Sequence, residues 1–168
     1  LPAEMKDHVI LCHHDPIAEG VIERLERDDI PYVVLEPDPR VAGDLLYDGV
    51  TVMAGATDSR ETYESARAAQ ARFVLANQGD VENTNIALTV REAAPDVPIA
   101  AIVNHDDAQD ILELSGATHA LPIKRWLGEQ LASRVNARHA ELHPIGQYRD
   151  LRFAELPVHN TPLQDRTI

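Results

Sequence analysis

The stretch His8-Val9-Ile10-Leu11-Cys12-His13-His14-Asp15-Pro16-Ile17-Ala18-Glu19-Gly20 decides how the rest of the chain is read. It begins as a continuous apolar run, which is how a strand reads when both faces of a parallel sheet are covered. Within a few residues it becomes a helix start. Asp is among the best N-cap residues, and Pro is favoured at the first helical position, as in Asp15-Pro16. Ile17, Val21, Ile22 and Leu25 then recur at helical spacing. Strand, tight turn and helix in that order open an α/β sheet.

The same unit repeats down the chain. Further strand-like runs are Tyr32-Val33-Val34-Leu35-Glu36, Val50-Thr51-Val52-Met53-Ala54, Arg72-Phe73-Val74-Leu75-Ala76, Ile99-Ala100-Ala101-Ile102-Val103 and His119-Ala120-Leu121-Pro122. Amphipathic stretches separate them. Ile86, Ala87, Val90, Ala93 and Ala94 have helical spacing, and Pro95 marks that helix's end. The alternation predicts an α/β fold, a Rossmann-like doubly wound parallel sheet of about six strands with helices on both faces. A last long helix is expected from about Ile123 to His143, with Trp126, Leu127, Leu131, Val135 and Leu142 on one side. Pro144-Ile145-Gly146-Gln147 should break it, and Asp150 to Val158 alternates like a strand. Residues 143–168 cannot make a core alone, so they are expected to be a linker and the first strand of a second lobe, truncated here. Residues 1–7 are expected to be a linker from an upstream segment, and 8–142 the main domain.

Composition narrows the function. Among 168 residues, 15 Lys and Arg face 28 Asp and Glu, a formal net charge of -13. That balance opposes a surface for phosphate backbones, so nucleic acid is not an expected partner. Lys occurs only at Lys6 and Lys124. High acidity with scarce Lys fits a protein from a halophile, where salt screens surface repulsion. No apolar run approaches the roughly 18 to 20 residues of a membrane span. A single Cys excludes a disulfide framework and fits a reducing cytosol.

In such a sheet, ligands bind beyond the carboxyl ends of the strands where the strand order reverses. The first turn usually carries glycines that let backbone approach a pyrophosphate at a helix N-terminus. Here those three positions are His13, Asp15 and Ala18, and only the third substitution is benign. An Asp15 cap would occupy the N–H groups that otherwise hold phosphate and would repel its charge. Two like charges about 4 Å apart cost roughly 1 kcal/mol in water and about 4 kcal/mol at an effective dielectric near 20. Glu36 ends the second strand, where an acid can accept from ribose hydroxyls. Cys12, His13 and His14 invite a metal, but consecutive residues leaving a strand point to opposite sides. Asp58, Gln78, Asp80, His105, Asp106 and Asp107 should share the same rim, with Asp80 capping the fourth helix. Ser59, Ser65, Ser115 and Ser133 lack a nucleophile-elbow pattern, so no catalytic residue is named and no enzyme is expected.

The order and spacing of several blocks resemble the regulator-of-K+-conductance (RCK) domain, also called the TrkA N-terminal domain. The carriers are His8 to Cys12, Val33 to Asp38, Gly49 to Gly55, Val81-Glu82-Asn83-Thr84-Asn85, Pro95 to Ile99, and Ser115-Gly116-Ala117-Thr118. Leu151 to Val158, followed by Thr161-Pro162-Leu163, is similar to the opening strand of the family's C-terminal lobe. The turn lacking its first glycines resembles the channel-fused branch. The resemblance implies a regulatory gating-ring domain at the cytoplasmic face of the membrane, serving a potassium channel or potassium uptake system. It implies a homodimer or larger ring partnered by a membrane domain, with pairing through the Ala-rich helices around Ile86–Ala94 and Ala108–Leu114. Family ligands include NAD(H), ATP, ADP, AMP and divalent cations. The corresponding contact set here is His13, His14, Asp15, Ile17, Ala18, Glu36, Asp38, Asp58 and Gln78. Two family acids are missing, since Ala56 follows the third-strand glycine and Gln78 follows the fourth strand. The expected cofactor is therefore an adenine nucleotide or NAD(H), bound weakly or not at all. The competing expectation is a ligand-free assembly module.

Overall fold

The computed structural model describes residues 5–136, 143–148 and 151–155. The chain divides into two compact units, Leu1–Lys124 and Arg125–Ile168. In the first, strands and helices alternate as β1 (Val9–Leu11), α1 (Pro16–Arg27), β2 (Tyr32–Glu36), α2 (Pro39–Tyr47), β3 (Val52–Ala54), α3 (Arg60–Ser65), β4 (Phe73–Ala76), α4 (Asp80–Ala93), β5 (Ile99–Ile102), α5 (Gln109–Leu114) and β6 (His119–Leu121). All six apolar runs are strands, trimmed by up to two residues at their ends. Short 3-10 turns at Ala68–Gln70 and Asp106–Ala108 lead into β4 and α5.

The six strands form one parallel sheet in the order β3-β2-β1-β4-β5-β6. Ile10 sits in register between Val33 and Val74. The chain builds outward from β1 to β3, then returns to start β4 on the other side of β1. The order thus reverses between β1 and β4. β1, β2 and β5 are buried throughout, whereas edge strands β3 and β6 are half-exposed.

Side-chain alternation divides the core in two. Ile10, Cys12, Val33, Leu35, Val74, Ala76, Ile99 and Ala101 face Tyr63 of α3, Ile86 and Val90 of α4, and Leu112 of α5. Val9, Leu11, Tyr32, Val34, Leu75, Ala100 and Ile102 face Ala18, Ile22 and Leu25 of α1. Helices therefore cover both faces, and the central strands β1, β4 and β5 are apolar at every position. Ile17, expected on the apolar side of α1, is instead 37% exposed. It lies in the first turn, next to the end of β1.

The last helix, α6 (Ile123–Asn136), leads into the second unit. It was expected to reach His143, but His143 opens a strand. β7 (His143–Tyr148) pairs antiparallel with β8 (Leu151–Glu155), and a register irregularity falls between Pro144 and Gly146. Pro and Gly end helices, but a β-bulge also accommodates both, so the expected break is a bulged strand. Trp126, Leu127, Leu131 and Val135 of α6 are all exposed. Leu142 lies outside the described residues, as do Thr161, Pro162 and Leu163. No helix among the described residues is long and apolar enough to cross a membrane.

Candidate functional site

A parallel sheet brings every strand's carboxyl end to one edge, and the order reversal between β1 and β4 is where such sheets place a ligand crevice. Five loops meet at this edge. Asp15 caps α1 as its sequence implies: its backbone is extended, and its Oδ1 accepts the Ala18 N–H at 2.7 Å. Glu19 N–H donates to the Asp15 carbonyl at 2.9 Å. The carboxylate thereby takes up one of the free N–H groups at the start of α1 and puts a negative charge there. Ala18 is fully buried against the sheet, so a methyl group fits the third glycine position.

His13 is exposed and His14 half-buried, with His14 Nδ1 3.9 Å from Glu19 Oε1. The loop carbonyls are held from the β4 side. Asn77 Nδ2 donates to His13 O at 2.9 Å, and Gln78 Nε2 to Cys12 O at 2.7 Å. Gln78 Nε2 also lies 3.4 Å from Thr57 Oγ1. One amide therefore links the end of β1, the β3–α3 loop and the end of β4. An acid at position 78 would face the Cys12 carbonyl without a proton to share.

Glu36 ends β2 and is 8% exposed. Its Oε1 accepts the Asp38 N–H at 3.0 Å, and its carbonyl accepts the Gly55 N–H at 3.0 Å. One carboxylate oxygen is thus committed to the turn after β2. Asp38 is the N-cap of α2 and accepts from Arg40 N–H at 2.9 Å. The Arg40 guanidinium beside it holds its carboxyl below the usual range. Asp58 is exposed. Gly55 lets α3 come close, because a Cβ there would meet Thr62 Cγ2 at 2.7 Å. A cleft of about 190 Å³ flanks this corner, lined by Met53, Ala54, Ser59, Glu61, Thr62 and Ser65.

Asp80 does not cap α4; Gly79 holds that place and makes no side-chain bond. β5 runs beside β4, so the β5–α5 loop passes over the start of α4. Asp80 accepts from Asn104 N–H at 2.7 Å and His105 N–H at 3.0 Å, and pairs with His105 Nδ1 at 2.8 Å. Burial pulls its carboxyl upward, but these bonds from Asn104 and His105 outweigh it and hold Asp80 low. Asp106 and Asp107 are exposed on the following turn. Among the described residues no group of three His, Cys, Asp or Glu side chains is placed to hold a metal ion.

Sequence reading missed the asparagines. Asn83 is fully buried and donates to Gln78 O at 3.1 Å and Ile102 O at 2.9 Å, while its Oδ1 accepts Gln78 N–H at 2.9 Å. Asn104 Nδ2 adds a bond to Gln78 O at 2.9 Å. The signal was present, since Asn follows the apolar run at Asn77 and closely at Asn104. A polar residue there has to satisfy strand-end carbonyls.

Comparison with known proteins follows the same geometry. Residues 9–122 match the family described as the TrkA-N domain. The GsuK channel bound to NAD superposes with a TM-score of 0.79 and 33% identity, covering 100% of this chain and 31% of that one. The GsuK protein bound to ADP gives 0.75 and 32%, covering 80% and 36%. A putative K+ efflux antiporter, KefB of Alkalimonas amylolytica, is 30% identical over 78% of this chain and 20% of its own length. Probable potassium channel protein 2 of Methanocaldococcus jannaschii is 24% identical over 70% of this chain and 35% of its own. The chain thus spans between a fifth and about a third of these relatives.

Proposed function

Because this chain belongs to the TrkA-N domain family, we propose that it is the regulatory module of a potassium channel or potassium efflux system. The observation that carries the reading is the likeness to the GsuK channel, which runs through the whole chain at 33% identity. Regulation would work by population shift. A ligand that binds one arrangement of paired domains better than another moves the balance by no more than its differential affinity.

The ligand we assign to the crevice is an adenine nucleotide or NAD(H), with Glu36 accepting from ribose and the first turn facing the phosphates. GsuK is recorded with NAD and with ADP. Binding here is weak, because Asp15 satisfies the Ala18 N–H that a phosphate would take. Asp15→Gly removes the charge while Gly remains an acceptable cap, at a stability cost of a few tenths of a kcal/mol. Titration calorimetry with ADP and NADH in KCl should show at least about fivefold tighter binding to Asp15→Gly than to the unsubstituted chain, since the repulsion removed is roughly 1 to 4 kcal/mol. Equal affinity for both would refute the role given to Asp15.

A second reading has its own support. Asn77 and Gln78 already take up the turn's carbonyls, which suits a module that assembles subunits without a ligand. No heat with either nucleotide in either variant would favour it. Pairing, in both readings, uses α4 and α5. Ala87 and Ala94 are buried in the domain's own core and so are not available to that contact. Val81, Leu88, Ile111 and Leu114 are exposed on these two helices and form the apolar face we assign to a second copy.

A further inference from the structure

His8 lies away from the crevice, just before β1 at the opposite end of the sheet. Its ring is wholly buried, and Nε2 is 2.9 Å from the Ala66 carbonyl. A carbonyl only accepts, so Nε2 carries the proton and the neutral ring's lone pair sits on Nδ1. Nδ1 is buried without a hydrogen-bond partner. The ring therefore has a place for one proton and not for two. A second would put a charged donor where no group receives it.

The groups joined by this ring hold the sheet to a corner. Ala66 is the C-cap of α3, and its N–H bonds Thr62 O at 2.8 Å. Arg67 follows with φ +57 and starts the 3-10 turn Ala68–Gln70. Asp7 N–H donates to Gln70 O, and Arg72 N–H to His8 O, each at 2.8 Å. The Arg72 guanidinium grips the Asp7 carboxylate with two donors. Two charged groups thus act on the imidazole, Asp7 beside it in the lead-in to β1 and Arg67 from the α3 corner, while Arg72 from the lead-in to β4 is held on Asp7. Burial lowers the ring's proton affinity, the Ala66 carbonyl opposes this, Arg67 adds to the lowering and Asp7 opposes it; the balance lies below the ordinary histidine range.

We propose that His8 is an acid-sensitive latch: the neutral ring fastens the start of β1 to the corner after α3, and a proton on Nδ1 unfastens it. Release would carry to the other edge of the sheet through α3 itself. Tyr63 of α3 donates its hydroxyl to Thr57 O at 2.8 Å, and Thr57 Oγ1 faces Gln78. The latch stands whether or not a nucleotide enters the crevice.

The sign follows from proton counting. The opened ring binds a proton near its ordinary value of about 6.5, while the latched ring resists it. Opening then gains up to about tenfold per pH unit below that point and is pH-independent above it. Hydrogen exchange on the whole chain reads this directly. After correction for intrinsic rates, the amides of Asp7, Ala66 and Arg72 should gain protection loss of up to about tenfold per unit between about pH 6.5 and about pH 5. His8→Gln keeps a donor toward Ala66 O without titrating, and should abolish the acid dependence. Nitrogen NMR of the unsubstituted chain supplies the second arm, in case that variant does not fold. The latch predicts an Nε2–H tautomer with a midpoint below the ordinary histidine value of about 6.5. A His8 ring that titrates at the ordinary histidine value of about 6.5, or equal acid dependence in His8→Gln, overturns the proposal.

Discussion

Asn83 shows how much one side chain holds at this sheet's edge. Its three bonds fasten the end of β4 to the start of α4 and to the end of β5. Asn83→Ala removes the side-chain partner of the Ile102 carbonyl and of the Gln78 N–H, and leaves the Gln78 carbonyl to Asn104 alone. Each unsatisfied group costs about 1 to 3 kcal/mol, with partial relief by water, so a loss of about 2 to 4 kcal/mol is expected from urea unfolding. Cys12 behaves in the opposite way. Burial pushes its thiol up to about 12, and its Sγ rests 3.6 Å from the Tyr63 hydroxyl. At neutral pH the nucleophilic thiolate is absent, so a thiol reagent should label Cys12 only as fast as the protein unfolds. Labelling at the rate of a free thiol would show that the β1 end opens locally. Asp15 as a cap was legible from Asp15-Pro16 alone, because capping is a short-range event. Asp80 as a bridge was not, because its partners Asn104 and His105 lie in the loop after β5, which reaches α4 only once β5 has paired with β4.

At the scale of elements, the joint between α4 and the β5–α5 unit depends on Arg91. Its guanidinium donates to the carbonyls of Gly116, Pro95 and Val97, at 3.0, 3.0 and 2.6 Å. Gly116 turns the chain with φ +107, and a Cβ there would meet Arg91 Cγ at 2.6 Å. Gly116→Ala should therefore cost about 1 to 3 kcal/mol, from backbone strain and a displaced arginine, measured by thermal melting. An unchanged melting temperature would mean that the turn relaxes freely. The strands were legible because burial on both faces demands unbroken apolar runs. The end of α6 was not. His143 to Tyr148 carries residues that stop a helix, but only pairing with Leu151–Glu155 makes them a strand.

For the whole molecule, the balance is between an apolar pairing face and a net charge of -13. Val81, Leu88, Ile111 and Leu114 favour association, while like charge on two copies opposes it. Salt shifts this balance, because the Debye length falls from about 10 Å at 0.1 M to about 3 Å at 1 M. Light scattering should show a dimer that tightens with KCl over that range. The double substitution Leu88→Glu and Leu114→Glu should leave a folded monomer, since both side chains are exposed, with a melting temperature lowered only by the loss of association. A dimer that survives it would place the contact elsewhere. The sequence alone determined the six strands, the cap on α1 and the family likeness, since these rest on periodicity, short-range bonds and the order of blocks. Tertiary structure decided the strand order, the asparagine and glutamine ties across the crevice, and the single-proton seat of His8. Each depends on groups many residues apart meeting in a buried place where water cannot supply the missing partner.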